Sequence, residues 1–203
     1  MEGVPVSTLG IYCIENWSGR RANRNSVEPV LKFLETSGVA RSIHERVSTV
    51  DELQHRLDDW APRTQHPLCY LALHGSPESV YVGRQELGVE DLLLIDRGDD
   101  QRPVDLTGKT LFLASCSTLA SDRSWLRKVR RDTGLNTLCG YGSDVEWFEA
   151  AAFDLLLLSA MARYSRAADA IKFLKRRHPG FVRLMRFRSE PDWKPTQPSR
   201  PSS

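Results

Sequence analysis

Apolar and polar positions alternate along this chain at two periods in turn. Leu9–Ile14 is a short apolar run that predicts a first strand. Val27, Val30, Leu31 and Leu34 then recur at helical spacing between Ser26, a capping residue, and Gly38, a stop, so a helix runs to about Ser37. Ser42–Val47 alternates as a second strand. Thr49 and Glu52 have capping-box spacing ahead of a helix that carries Leu53, Leu57 and Trp60 on one face and ends at Pro62. Leu68–Leu73 is the third strand, and Ser79–Gly83 reads as a hairpin arm. Val89–Ile95 reads as a short helix, and Asp96–Lys109, with Gly98, Pro103 and Gly108, as a surface loop.

The second half continues the alternation. Thr110–Ser115 is a fourth strand, Asp122–Arg131 a basic helix with Trp125, Leu126 and Val129 inward, and Thr137–Tyr141 a fifth strand. Trp147–Tyr164 and Arg166–His178 are long helices, and Phe181–Arg188 reads as a last strand with interspersed basic residues. Strands separated by helices predict an α/β fold with a mostly parallel sheet covered by helices on both faces. Residues 1–189 suit a single domain, and the Pro- and Ser-rich stretch 190–203 is expected to be a disordered tail.

Charge changes this picture little. The net charge of +2 excludes an overall electrostatic nucleic-acid binder, although residues 1–119 carry 12 basic and 17 acidic side chains and residues 120–190 carry 14 and 8. The longest apolar stretch, around Leu155–Ala162, is far shorter than the roughly 20 residues of a membrane span, and the first residues carry no secretory pattern. Cys13, Cys69, Cys116 and Cys139 are scattered, which argues against a disulfide framework and for a reducing, cytoplasmic setting. No zinc spacing, GxxxxGK[ST] or GxGxxG is present, so neither metal nor cofactor is expected. The cluster Arg20-Arg21-Ala22-Asn23-Arg24 reads as a solvated loop that, if it reaches the active edge, has the charge for an acidic partner.

Two apolar runs end on reactive residues. The third strand delivers His74-Gly75, and the fourth delivers Cys116, 42 positions after the histidine. In parallel sheets functional groups collect at the carboxyl ends of strands, and both residues fall there. A thiol is a strong nucleophile as the thiolate, and a neighbouring imidazole can take its proton. If the chain turns into the basic helix soon after Cys116, backbone N–H groups would face the sulfur and later an oxyanion. Gly75, lacking Cβ, suits a close approach of substrate to its backbone N–H. The plainer alternative is a core cysteine and a surface histidine, because free cysteine is among the most buried residue types. Cys13, Cys69 and Cys139, inside apolar runs, read as buried structural thiols.

His-Gly after one apolar block and Cys after another resembles the caspase-like cysteine peptidases, in which the histidine of caspases lies about 50 residues before the cysteine. The order strand, helix, strand, helix, strand-His-Gly, hairpin, helix, strand-Cys is similar to the caspase-like three-layer fold from Leu9 to Tyr141. Ala114-Ser115 before the cysteine and Ser117-Thr118 after it depart from the caspase signature, so the likeness is to the bacterial CHAT and metacaspase-like type. The resemblance implies an endopeptidase with a protein or peptide substrate, a regulatory protein partner, no cofactor, and a setting in regulated proteolysis or bacterial antiviral defence. It implies that Cys116 attacks the peptide carbonyl, that His74 acts as general acid and base, and that the N–H groups of Gly75 and Cys116 hold the oxyanion. It also implies a specificity pocket just after the fifth strand, where Asp144 or Glu146, with Ser143, selects a basic side chain; helix capping by Ser143 or Asp144 is the competing reading. Two further classes stay open: a catalytically inactive caspase-like module that binds a partner, and a small-molecule cysteine hydrolase of α/β fold, for which no matching strand-end Asp stands out.

Overall fold

The computed structural model describes residues 8–17, 25–95, 102–103 and 105–191. The chain runs β1 (Leu9–Glu15), α1 (Glu28–Thr36), β2 (Ala40–Arg46), α2 (Val50–Trp60) and β3 (Leu68–Ala72). A small antiparallel sheet follows, of β4 (His74–Ser76), β5 (Ser79–Val82) and β6 (Gln85–Gly88), then α3 (Val89–Leu92) and the pair β7 (Leu94–Ile95) and β8 (Arg102–Pro103). The remainder is β9 (Thr110–Leu113), α4 (Arg123–Thr133), β10 (Thr137–Gly140), α5 (Trp147–Arg163), α6 (Ala167–Arg177), α7 (Pro179–Leu184) and β11 (Arg188–Glu190). The main sheet has six strands in the order β2-β1-β3-β9-β10-β11, all parallel except β11, which runs antiparallel to β10.

Strand alternation explains why both faces of this sheet are covered. Ile11 and Cys13 of β1, Tyr70 of β3 and Phe112 of β9 face one core with α1, α5 and α6. Tyr12 and Ile14, Cys69 and Leu71, and Leu111 and Leu113 face the other core with α2 and α4. Burying a Leu or Phe side chain is worth about 1.5–3 kcal/mol, so the buried strip Phe153, Leu157, Leu158 and Met161 anchors α5 by packing. The fold is thus α/β, with a mostly parallel sheet between two helical layers. Among the described residues no helix is long and apolar enough to cross a membrane.

Helix ends follow local chemistry. Thr49 Oγ1 accepts from the Glu52 N–H, and the Glu52 carboxylate accepts from the Ser48 N–H, so the capping residues act as their spacing suggests. Ser26 Oγ accepts from the Glu28 N–H at the start of α1. Leu126 and Val129 turn inward on α4.

Three expectations are corrected. Phe181–Arg188 is not a strand: Pro179 opens α7, and Phe181, Val182 and Met185 lie at helical spacing against the core. Arg186, at φ 42°, ends that turn, and β11 follows with Glu190 paired with Leu138. Val89–Ile95 divides into the one-turn α3 and strand β7. Within Asp96–Lys109, Arg102–Pro103 pairs with β7 and Leu106 is buried, while 96–101 and 104 lie outside the described residues. The Arg20–Arg24 cluster and the tail from Asp192 also lie outside them.

Candidate active site

The 42-residue separation of His74 and Cys116 has a structural origin. β3 and β9 are adjacent parallel strands in which Leu68 lies opposite Thr110 and Leu71 opposite Leu113, and each of these pairs is 42 residues apart. The histidine and the cysteine therefore leave the sheet at the same level, from neighbouring strands. Both line one cavity of about 130 Å³ at the carboxyl end of the sheet. Leu73, Ala114, Val145, Trp147 and Trp17 contribute its walls, and Tyr70 and Asp154 contribute polar groups to it.

Cys116 sits in a tightly tied turn. The buried Ser115 Oγ accepts from the Leu73 N–H at 3.3 Å, which joins the two strand ends. Ser117 adopts φ 54°, its N–H donates to the Ser143 carbonyl, and its hydroxyl donates to Asp144 at 2.7 Å. On the other side, the Glu78 N–H donates to the Thr118 carbonyl and Thr118 Oγ1 donates to the Ser79 carbonyl, tying the turn to the β4–β5 hairpin. Gly75 packs into this junction. A Cβ there would lie 2.2 Å from Thr118 Oγ1 and 2.6 Å from the Cys116 carbonyl oxygen. The missing side chain thus makes room for the cysteine turn, a different need from the substrate approach expected of it.

The sulfur is half-buried, and Sγ lies 3.8 Å from the Val145 carbonyl oxygen. Helix α4 begins only at Arg123, and Asp122 takes up its first N–H groups, those of Ser124 and Trp125. The expected aim of that helix at the sulfur is therefore not realised. Among the described residues no hydrogen bond takes up the Cys116 N–H. His74 is exposed, and its ring stands edge-on to Trp17 at 5.1 Å between centroids.

Trp17 is itself held by a buried carboxylate. Glu15, at the end of β1, accepts from Trp17 Nε1 (3.2 Å), Ser26 Oγ (2.8 Å), the Val27 N–H (3.0 Å) and Arg46 Nε (2.9 Å). His44 Nε2 lies 3.1 Å away. Burial pushes its pKa up, but the adjacent His44 imidazole and the hydrogen bonds from the Val27 N–H and Ser26 outweigh this and hold it at about 2.

Ser143, Asp144 and Glu146 follow β10 as expected but do not line the cavity. Asp144 is engaged by Ser117, and Glu146 caps α5 by accepting from the N–H groups of Phe148 and Glu149. The Ser143 hydroxyl is buried without a partner. From this segment the cavity receives Val145 and Trp147.

Its acidic group is Asp154, from the middle of α5. Tyr70 on β3 donates to Asp154 Oδ2 at 2.5 Å, and Tyr141, just after β10, donates to Oδ1. Both rings pack about Phe112 of β9, Tyr70 stacked at 5.3 Å and Tyr141 edge-on, which aims the two phenols at α5. Burial raises Asp154 to about 7 against the lowering effect of the two hydroxyls. Its trace in the sequence is the one charged residue of the helix segment Ala150–Ala162. Cys13, Cys69 and Cys139 are buried, and burial pushes their thiols up, away from the reactive thiolate. No group of three or more His, Cys, Asp or Glu suited to a metal ion occurs among the described residues.

Fold and site together define an α/β protein with a cysteine- and histidine-lined cleft at adjoining strand ends. The model of a family of unknown function (DUF6642) matches residues 8–189, and the chain belongs to that family. No curated protein matches it.

Proposed function

We propose that the protein is a cysteine endopeptidase of caspase-like type, with Cys116 as nucleophile and His74 as general acid and base. The observation that carries this reading is the common register of the two residues at one cavity, set by the β3–β9 pairing. The order of elements up to β9, with a hairpin after His-Gly and the cysteine after the next long strand, agrees with the resemblance in the sequence. Two tied segments, the β4–β5 hairpin and the turn after β10, hold the cysteine in place without help from α4.

The reaction proceeds by acyl transfer. The Cys116 sulfur forms a bond to the peptide carbonyl carbon, the carbonyl electrons move to oxygen, and the C–N bond then breaks as His74 gives its proton to the leaving amine. Water next attacks the thioester, His74 takes its proton, and the C–S bond breaks to release acid and thiol. The Cys116 N–H and the Gly75 N–H hold the oxyanion, each such donor being worth about 10²–10³ in rate. Gly75 qualifies by its place in the hairpin. The flanking pair Ser76 and Ser79 exchanges hydrogen bonds, so alternation turns the Gly75 N–H away from β5.

Cys116→Ala is expected to abolish peptide cleavage and to remove selective iodoacetamide labelling of one thiol. Unchanged cleavage or labelling would refute the reading. One observation favours a second reading, a catalytically inactive module of the same fold: the polar partner of the sulfur is the Val145 carbonyl rather than His74. An unreactive Cys116 in a protein that captures a partner at this cleft would favour that alternative.

A further inference from the structure

Asp144 and Glu146 are tied to the turn and the helix cap and do not line the cavity. Asp154 does. It borders the same cavity as Cys116, and its only described donors are two neutral hydroxyls. No cation among the described residues compensates its charge. An ionised carboxylate offers about four lone-pair positions, so after Tyr70 and Tyr141 it retains capacity for about two more donors.

The remaining wall is apolar. Val27 and Val30 come from the start of α1, and Ala150 and Ala151 stand one helical turn before Asp154 on the same face of α5. Such a wall suits an aliphatic stem, and a carboxylate at its end suits a cationic head. Trp17 and Trp147 stand at the sides, where their rings cover a stem and attract a cation.

We infer that this cavity receives the substrate side chain on the acyl side of the scissile bond, and that it selects lysine or arginine through an ion pair with Asp154. The inference rests on the peptidase reading for the word substrate, but the pocket's preference is measurable without catalysis. An acidic side chain is repelled here, and an apolar one leaves the buried carboxylate without a counter-charge. The ion pair requires ionised Asp154. The titratable groups that face it are Tyr70 of β3, Tyr141 after β10, Cys13 of β1 and Cys139 of β10, with Cys116 and His74 on the cavity itself. Burial pushes the two phenols and the two buried thiols upward, so none of these four gains charge as the pH rises through neutrality.

The test is calorimetric binding of three blocked tripeptide amides, ending in lysine, norleucine or glutamate, to the full chain carrying Cys116→Ala at pH 8. Lysine is expected to bind about tenfold tighter than norleucine, the value of one charge-assisted contact, and glutamate not to bind. Adding Asp154→Asn, which keeps the side-chain volume, is expected to erase the preference. Ala151→Leu, which narrows the wall and spares the carboxylate, is expected to weaken lysine and norleucine together. Equal or tighter binding of norleucine, or a lysine preference that survives Asp154→Asn, overturns the inference. Cleavage by the unmodified chain separates the two proposals. Hydrolysis after norleucine but not lysine overturns the basic pocket and leaves the peptidase standing. Selective lysine binding without hydrolysis supports the pocket and refutes the peptidase.

Discussion

Two buried carboxylates, one bonded behind Trp17 and one in the cavity wall, stand in opposite electrostatic states. Glu15, at the end of β1, is met by two side chains that carry or can take positive charge, Arg46 and His44, and by the Val27 N–H, Ser26 and Trp17. Asp154, on α5, is met by two phenols alone. Glu15 is held at about 2 and Asp154 at about 7, although both side chains are almost wholly buried. Burial acts upward on each, so the partners decide the difference. Glu15 belongs to a closed network that fastens Trp17 beside His74. Asp154 has no charged partner among the described residues, and under the proposed reading a cationic substrate would bring one.

The sharpest way to break the comparison is Glu15→Ala, which leaves the buried Ser26 hydroxyl and Val27 N–H without their acceptor and frees Trp17. A loss of about 3 kcal/mol is expected in urea unfolding at pH 7, and a loss under 1 would show that the network is not closed. Gly75→Ala comes next, because it pushes a methyl group into the cysteine turn. About 2–3 kcal/mol of stability should be lost, along with most of the proposed activity; an unperturbed protein would mean that the junction yields freely.

Asp154→Asn should move stability the other way. The folded pKa of Asp154 is raised, so the folded chain holds a proton that the unfolded chain has lost between 3.8 and about 7. Its contribution therefore falls as the pH rises through that window, by at most about 4 kcal/mol. The amide is expected to stabilise the protein by about 2 kcal/mol at pH 8 relative to pH 4, after the changed bonds to the tyrosines. Glu15, whose folded pKa is lowered, contributes stability that is complete above the unfolded value near 4.5 and is lost as the pH falls toward about 2. Urea titrations of the two variants from pH 3 to pH 8 should slope oppositely, and parallel slopes would erase the distinction. The smallest effect is that of Trp17→Phe. It removes the indole N–H bond to Glu15 and should cost about 1 kcal/mol of stability in urea unfolding; a loss of about 3 or more would mean that Trp17 carries part of the network.

Much of the frame was legible in the chain because it rests on local patterns. The apolar runs of β1, β3, β9 and β10 and the helical strips of α1, α2 and α4 are short-range signals, and the spacing of His74 and Cys116 reproduces the register between their strands. Phe181–Arg188 misled because a few apolar and basic residues fit either period, and Pro179 with the spacing of Phe181 and Met185 decides for a helix. The proposed specificity group was less legible. Asp144 and Glu146 follow β10 as their position suggested, but neither lines the cavity. Asp154 acquires meaning only from Tyr70, 84 positions away, and from the burial that α5 imposes. Trp17 and Trp147 reach one cavity from opposite ends of the domain, which no local pattern encodes.

The most direct test of the central claim is hydrolysis of a fluorogenic peptide amide ending in lysine, assayed for the intact chain beside Cys116→Ala and His74→Ala. Turnover by the intact chain is expected, falling by on the order of 10⁴-fold in either variant. No turnover by the intact chain, or turnover that survives the loss of Cys116, would contradict the account.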